Sequence, residues 1–408
     1  MNTPVHQRHV LYFTGFDPKG PAHYQRLYDG QAQLQSTIKD YQLTVGPRVN
    51  HSTTSTTWDI DFEDANGAYV KTCYEFARWD DVVRNHWTKH YWQIVLNTLL
   101  TSWAYAYQGV AWQFLKRTWP AFLALFMPAT LYVLAILLAG IGLLLAMGLV
   151  AQGASPLLAV FGFTAWLALL VLVVTLFERH FHMSWLMRSF HFTRQSMVGG
   201  APDLQVRLDH LADHIAHLIA HSDADEILLV GHSTGGGMAV SALARAWEKH
   251  HHTIDAQRWH KISLLTVGQW FPLLSLMKEA GPMRQELATV AKHFSLQWVD
   301  ISAPADGCCT ALVDPLDAVR QIERLECPSP KLLSPRFQTL FTPQDYRKLK
   351  RDRFRLHFQY LMAAPISGSY DYFWITAGPQ RLSSVFQDMP SVVNFKASSM
   401  PIFKLFQK

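Results

Sequence analysis

The residue types best suited to covalent chemistry fall in one stretch, Ile227-Leu228-Leu229-Val230-Gly231-His232-Ser233-Thr234-Gly235-Gly236-Gly237-Met238-Ala239: an apolar run, a Gly-x-Ser-x-Gly turn and a helical run. A serine hydroxyl attacks a carbonyl carbon only when a neighbouring base takes its proton and donors stand where the negative oxygen will form. A sharp strand-to-helix turn supplies part of that arrangement. It forces the central residue into a strained conformation, so Gly231 and Gly235 are needed to avoid clashes while Ser233 is pushed out above the sheet edge. The N–H of Thr234 then points to the place where an oxyanion develops, assisted by the positive end of the new helix. Gly236 and Gly237 permit that helix to pack closely on the strand. A glycine-rich turn that binds a phosphate, or merely packs, is the plainer reading of the same residues.

With these residues the sequence resembles the α/β-hydrolase family of serine hydrolases, over most of the chain outside its central apolar segment in element order, and with the Ser233 turn as the specific motif. The resemblance implies a triad in the order Ser, Asp or Glu, His. An expected strand over Phe294 to Ile301 leads into Ser302-Ala303-Pro304-Ala305-Asp306, which puts Asp306 in the loop just past it, and His357 is the one histidine that follows. Ser233 would attack, His357 would take and return the proton, and Asp306 would hold the imidazole tautomer. Asp300 inside the strand, and Asp314 or Asp317 further along the loop, are rival acids. A turn-capping aspartate and a packed helix histidine are the ordinary roles of Asp306 and His357. The second oxyanion donor is expected in the loop after an early strand, at Gly15 or Phe16; Thr14 stands where the family carries a histidine.

The elements that must position these residues are legible as alternation. His9 to Thr14, Gln42 to Val45 and Ala68 to Phe76 read as strands and His23 to Tyr41 as a helix. After the apolar segment come a helix over Leu204 to His221, a buried strand over Glu226 to Val230, a helix over Gly235 to His250 and a strand over Lys261 to Val267. Strands alternating with helices imply an α/β fold: a doubly wound, mostly parallel, α/β-hydrolase-like sheet, here interrupted by a transmembrane helical hairpin.

That hairpin explains an unusual composition. Only 16% of the 408 residues are charged, yet from Thr118 to Phe177 there is no charge at all, and without that segment the share is ordinary. Residues 120–150 and 156–177 each exceed the roughly twenty apolar residues needed to cross a bilayer, and only a Gly/Pro turn separates them. Lys116 and Arg117 before the pair, and Arg179, Arg188 and Arg194 after it, put both flanks in the cytoplasm by the positive-inside rule. Trp87, Trp92, Trp103, Trp112 and Trp119, among Tyr91, Tyr105 and Tyr107, suit the headgroup region, although ordinary core packing uses the same residues. The expected organisation is therefore residues 1–86 as the first part of the hydrolase domain, 87–194 as interfacial aromatic helices and a two-span hairpin, and 195–408 as the remainder with the nucleophile.

Other chemistries are less well supported. Met1 to Val10 is polar and enters a strand directly, so no secretion signal is expected, and Cys73, Cys308, Cys309 and Cys327 lack disulfide-framework spacing, which suits reduced thiols. A net charge of +5 gives no nucleic-acid footprint; the basic run Arg347-Lys348-Leu349-Lys350-Arg351 reads as a solvated or membrane-facing helix surface. His210, His214, His217 and His221 share a helix face at spacings that can bind zinc, but they border an apolar stripe and read as its polar shoulder. No metal and no cofactor are expected. The reading is a membrane-anchored serine esterase, lipase-like or thioesterase-like, whose partners are the bilayer and a small amphiphilic acyl substrate. A non-catalytic membrane-associated binding module that retains the hydrolase fold is the alternative, and a transport component lacks an intramembrane charge.

Overall fold

The computed structural model describes residues 4–392. Nine strands form one sheet: β1 Gln7–Phe13, β2 Tyr41–Val45, β3 Val49–Asn50, β4 Ser55–Asp64, β5 Tyr69–Ala77, β6 Glu226–His232, β7 Ile262–Val267, β8 Trp298–Ile301 and β9 Lys331–Leu333. Their spatial order is β2-β4-β5-β1-β6-β7-β8-β9, with β3 also paired to β4. Every pairing from β5 across to β9 is parallel, whereas β2, β3 and β4 pair antiparallel at one edge. The fold is thus α/β with a mixed, mostly parallel sheet.

The antiparallel edge departs from the simple alternation of strand and helix. Its longest member, β4, carries Thr, Asp and Glu on one side, yet Thr56, Trp58, Ile60 and Phe62 are buried at every second position. Two boundaries also move. The helix expected to reach Tyr41 ends at Ser36, and Tyr41 opens β2 instead; Phe294 closes the helix Gly281–Phe294, and β8 starts only at Trp298.

Alternate residues of the central strands feed two cores, one on each face. Val10, Tyr12, Leu228 and Val230 pack with Tyr24 and Tyr28 of the helix Pro21–Ser36 and with C-terminal segments from Leu356 to Phe386. Leu11, Phe13, Ile227 and Leu229 pack against the helices Pro202–His221, Thr234–His250 and Gly281–Phe294. All seven residues of β6 are buried, as a strand covered on both faces requires. At the start of β1 and β6 the fully buried Arg8 Nε donates to Glu226 at 2.8 Å, while its other nitrogens donate to the carbonyls of Gly378 at 2.7 Å and Gln380 at 2.6 Å. A buried guanidinium is tolerable only when so fully partnered, and these bonds fasten the C-terminal segment beneath the sheet.

Between β5 and β6, which flank β1 on its two sides, the chain leaves the sheet for a helical excursion. Two of its helices, Trp119–Ala151 and Pro156–Phe181, are long and apolar enough to cross a membrane, and overrun the expected 120–150 and 156–177 by a few residues. The first begins as part of the body, with Ala121, Leu125, Pro128, Ala129 and Tyr132 buried. From Val133 onward it exposes Leu134, Ile136, Leu137 and Ile141, and the second helix exposes Leu157, Phe161 and Val171. The pair holds itself together: the Trp166 indole N–H donates to the Leu138 carbonyl at 2.9 Å, and a side chain at Gly142 would strike the Trp166 ring. Of the aromatics before the pair, Trp92, Trp103, Tyr107 and Trp112 are exposed, whereas Tyr105 is buried and Trp87 stacks on Phe16.

Candidate active site

The strand β1 lies in the middle of the sheet, between β5 and β6. From β1 the chain leads into the helix on one face, and from β6 it leads into the helix Thr234–His250 on the other. Loops that leave two neighbouring parallel strands towards opposite faces open a crevice at the strands' carboxyl ends, the usual ligand position in such sheets. The loops after β1, β6 and β8 carry Gly15, Ser233 and Asp306 to this edge.

Ser233 sits between β6 and the helix Thr234–His250 with φ +56° and ψ −125°, a conformation that costs about 1–3 kcal/mol in a non-glycine residue. The flanking glycines make the turn sterically feasible. A Cβ on Gly231 would lie 2.5 Å from Gly236 Cα and 2.6 Å from the Gly235 carbonyl oxygen, and one on Gly235 would overlap the Phe13 and Thr14 carbonyls. Thr234 opens the helix, so its N–H has no intrahelical acceptor.

Gly15 passes directly against the serine: a Cβ there would lie 3.1 Å from Ser233 Cβ and 3.4 Å from Oγ. The loop is held by several bonds. Thr14 Oγ1 donates to the Tyr24 hydroxyl at 2.6 Å, Tyr24 donates to Asp17 at 3.0 Å, and the Trp79 indole donates to the Thr14 carbonyl at 3.1 Å. Phe16 is buried in a stack with Phe192, ring centres 4.6 Å apart.

His357 and Asp306 meet although 51 residues separate them. Nδ1–H of His357 donates to Asp306 Oδ2 at 2.8 Å, with both side chains 1% exposed. The same oxygen accepts from the Tyr360 hydroxyl at 3.1 Å, and Oδ1 accepts from the Cys308 N–H at 2.9 Å. Burial disfavours the carboxylate, but the facing imidazole, its hydrogen bond and the Cys308 N–H outweigh it and hold the carboxyl below its usual range. Nε2 of His357 is buried without a hydrogen-bond partner among the described residues. Nor does Ser233 Oγ bond to it; before substrate binds, such contacts are commonly longer than hydrogen bonds.

The rival acids lie elsewhere. Asp300 is buried in β8, bonded to Thr266 at 2.5 Å and Gln269 at 3.0 Å, and burial pushes its carboxyl up to about 7. Asp314 pairs with Arg320 at 2.9 Å and Asp317 with Arg117 at 3.1 Å.

Several residues around the site were not singled out by the sequence. His232 donates Nε2–H to the His357 carbonyl at 2.9 Å, its ring centre 4.9 Å from that of His357. Burial, then the neighbouring imidazole, pushes it down to about 3, so it is a neutral spacer. Its place beside the serine was the only signal. The helix Met183–Met197, which follows the second long helix, spans the whole site: Trp185 lies 6.0 Å from the His357 ring, Ser189 Oγ is 3.3 Å from Thr234 Oγ1, and Phe192 stacks on Phe16. Beside Thr234 lies a cavity of about 290 Å³ lined by Phe192, Leu208, Met238, Trp270 and Phe271, with the Arg245–Glu286 ion pair also in its wall.

The cysteine pair is part of the acid's cradle. Burial raises both Cys308 and Cys309 thiols, Asp306 adding to the effect. The histidine stripe does not converge: His214 bonds to Glu75, and His217 stacks on His221. No group of three or more potential metal ligands occurs among the described residues. Comparisons of the chain with family models, curated proteins and solved structures find no match.

Proposed function

We propose that this chain is a membrane-anchored serine hydrolase of the α/β-hydrolase type that cleaves an ester or thioester of an amphiphilic, lipid-like substrate. The observation that carries the reading is the solvent-sealed His357–Asp306 pair at the same sheet edge as a serine held at positive φ. In this reading Ser233 Oγ attacks the acyl carbon while His357 Nε2 takes its proton. The carbonyl electrons move onto oxygen, stabilised by the N–H of Thr234 and one from Gly15 or Phe16. Collapse breaks the bond to the leaving group, which receives the proton from His357. Water, deprotonated by the same nitrogen, then releases the acid and restores the serine. Asp306 keeps Nδ1 protonated and stabilises the imidazolium.

The largely apolar lining of the cavity beside Thr234 suits an acyl chain. The two long helices would cross the bilayer as a hairpin, with the basic flanks, and so the sheet domain, on the cytoplasmic side. Purified protein should react with a fluorophosphonate probe, and Ser233→Ala should abolish labelling. The absent Ser233–His357 hydrogen bond is what favours the alternative, a binding module retaining this architecture. Folded wild type that resists the probe would decide for it.

A further inference from the structure

Where the two long helices join the body there is a cavity of about 790 Å³ that the proposed reaction leaves unused. One wall is apolar, built from Trp119, Leu123 and Met127 on successive turns of the first long helix and from Phe181 at the end of the second. It is continuous with the apolar surface those helices expose. The opposite rim is cationic: Arg347, Lys350 and Arg351 from the helix Pro343–Arg351, and Arg353 just beyond. All four are exposed, and none is in an ion pair among the described residues. Over residues 345–355 there are six cations and two carboxylates. Neither carboxylate is in an ion pair with a rim cation: Asp345 bonds to Lys348 at 3.2 Å, and Asp352 accepts from the Arg355 N–H at 2.8 Å. The cavity floor is the loop of Asp306; a Cβ on Gly307 would lie 3.5 Å from the Pro120 carbonyl oxygen.

An apolar wall that runs onto exposed apolar helix surface, lined on its rim by cations that have no carboxylate partner among the described residues, matches the two halves of one kind of molecule. Lys350 lies 4.9 Å over the Tyr346 ring and Arg353 donates to the Ala305 carbonyl at 3.4 Å, contacts that leave both charges without a counter-ion. A soluble anion would leave the wall wet, and a neutral lipid would leave the cations without a counter-charge. We propose that this cavity binds one anionic glycerophospholipid, its phosphate on the Arg347–Arg353 rim and its chains along Trp119, Leu123 and Met127. The proposal rests on the reading of the two long helices as bilayer spans.

The test uses the full chain in neutral detergent micelles, titrated with phosphatidylglycerol or phosphatidylcholine and followed by native mass spectrometry. The wild type should retain one phosphatidylglycerol in preference to phosphatidylcholine. The variant R347Q/K350Q/R351Q should weaken that adduct about tenfold or more, whereas K348Q/R355Q, which removes charge outside the cavity, should weaken it less than about threefold. Leu123→Trp fills the wall without altering charge and should also remove the adduct. Equal retention of the two lipids, equal losses in the two charge variants, or an unaffected adduct in Leu123→Trp each overturns the proposal. So does displacement by inorganic phosphate, which would make the rim a site for the free anion. Circular dichroism separates unfolding from lost binding. Extraction of the chain from membranes by carbonate would instead sink the span reading, and is scored separately.

Discussion

Asp306 Oδ2 accepts the Nδ1–H of His357 at 2.8 Å in a space that solvent does not reach, and Tyr360 and the Cys308 N–H occupy the rest of the carboxylate. The arrangement commits Nδ1 as donor and leaves Nε2 as the acceptor. Asp306→Asn keeps the shape but replaces the anion with an amide that can present N–H to the ring and reverse its tautomer. Turnover of an activated ester should fall about 10³- to 10⁴-fold with little change in thermal stability. Near-normal turnover would remove Asp306 from the role. Asp300 would be a poor substitute, since its carboxyl is tied to Thr266 and Gln269.

Two glycines near the serine should fail in different ways when given a methyl group. At Gly15 the new carbon meets the Ser233 side chain at 3.1 and 3.4 Å and the His232 carbonyl oxygen at an ordinary 3.4 Å, so the serine must shift by a few tenths of an ångström. Gly15→Ala should fold and lose on the order of 10²-fold in kcat/KM, the scale of a small misplacement of a reacting group. At Gly235 the methyl would run into the backbone carbonyls of Phe13 and Thr14, which cannot yield without parting β1 from the turn. Gly235→Ala should therefore lower the melting temperature steeply before activity is even measured. Equal thermal losses in the two variants would contradict this account.

Ser233 was legible because a sharp strand-to-helix turn admits few residues at Gly231 and Gly235, so local sterics write the motif. The contact between Asp306 and His357 was anticipated through chain order together with the strand end before the acid, although that strand begins four residues later than expected, at Trp298. The strand β4 was missed because its outer row, Asp59, Asp61 and Glu63, is of residues uncommon in strands, although Trp58, Ile60 and Phe62 alternate with them on the buried side. Nothing local announces that Trp185 will lie over His357, or that Tyr360 will bond Asp306. Those contacts depend on how the excursion between β5 and β6 folds back on the sheet. The antiparallel edge was equally hidden, since pairing direction is decided between segments and not within them.

Glu75 gives a pH test remote from the proposed chemistry. It is buried between His9 Nε2 at 2.8 Å and His214 Nε2 at 2.9 Å. Burial opposes its ionisation, but the hydrogen bonds and charges of His214 and His9 hold it well below the usual carboxylate range. Burial likewise opposes protonation of His214, yet its bond to Glu75 raises it overall. The carboxylate's contribution to stability is present above its unfolded pKa and fades as pH falls through the depressed folded value. The histidine's is present below its unfolded pKa and fades as pH rises through the raised folded one. The pair therefore stabilises most between about pH 4.5 and 6.5. His214→Gln should lower the melting temperature clearly near the middle of that window and much less at about pH 9. A deficit of the same size at both would show that shape, and not charge, is lost.

The first long helix is buried against the body only in its early turns. Removing residues 120–177 would excise Ala121, Leu125, Pro128, Ala129 and Tyr132, all buried against the body, and would pull directly on Met183–Met197, the helix over the candidate site. Such a deletion should fail to fold. A shorter deletion of residues 134–172, closed by a Gly/Ser linker, removes exposed apolar surface and the Trp166–Leu138 contact but keeps the packed turns and the segment leading into Trp185. It should yield detergent-free protein that still reacts at Ser233 with a fluorophosphonate at a rate near that of the full chain. If the short deletion folds yet labels slowly, the outer turns of the two long helices help to set the Trp185–His357 contact. If it folds, labels normally and still sediments with membranes after carbonate, the exposed Trp92, Trp103, Tyr107 and Trp112 carry an attachment of their own.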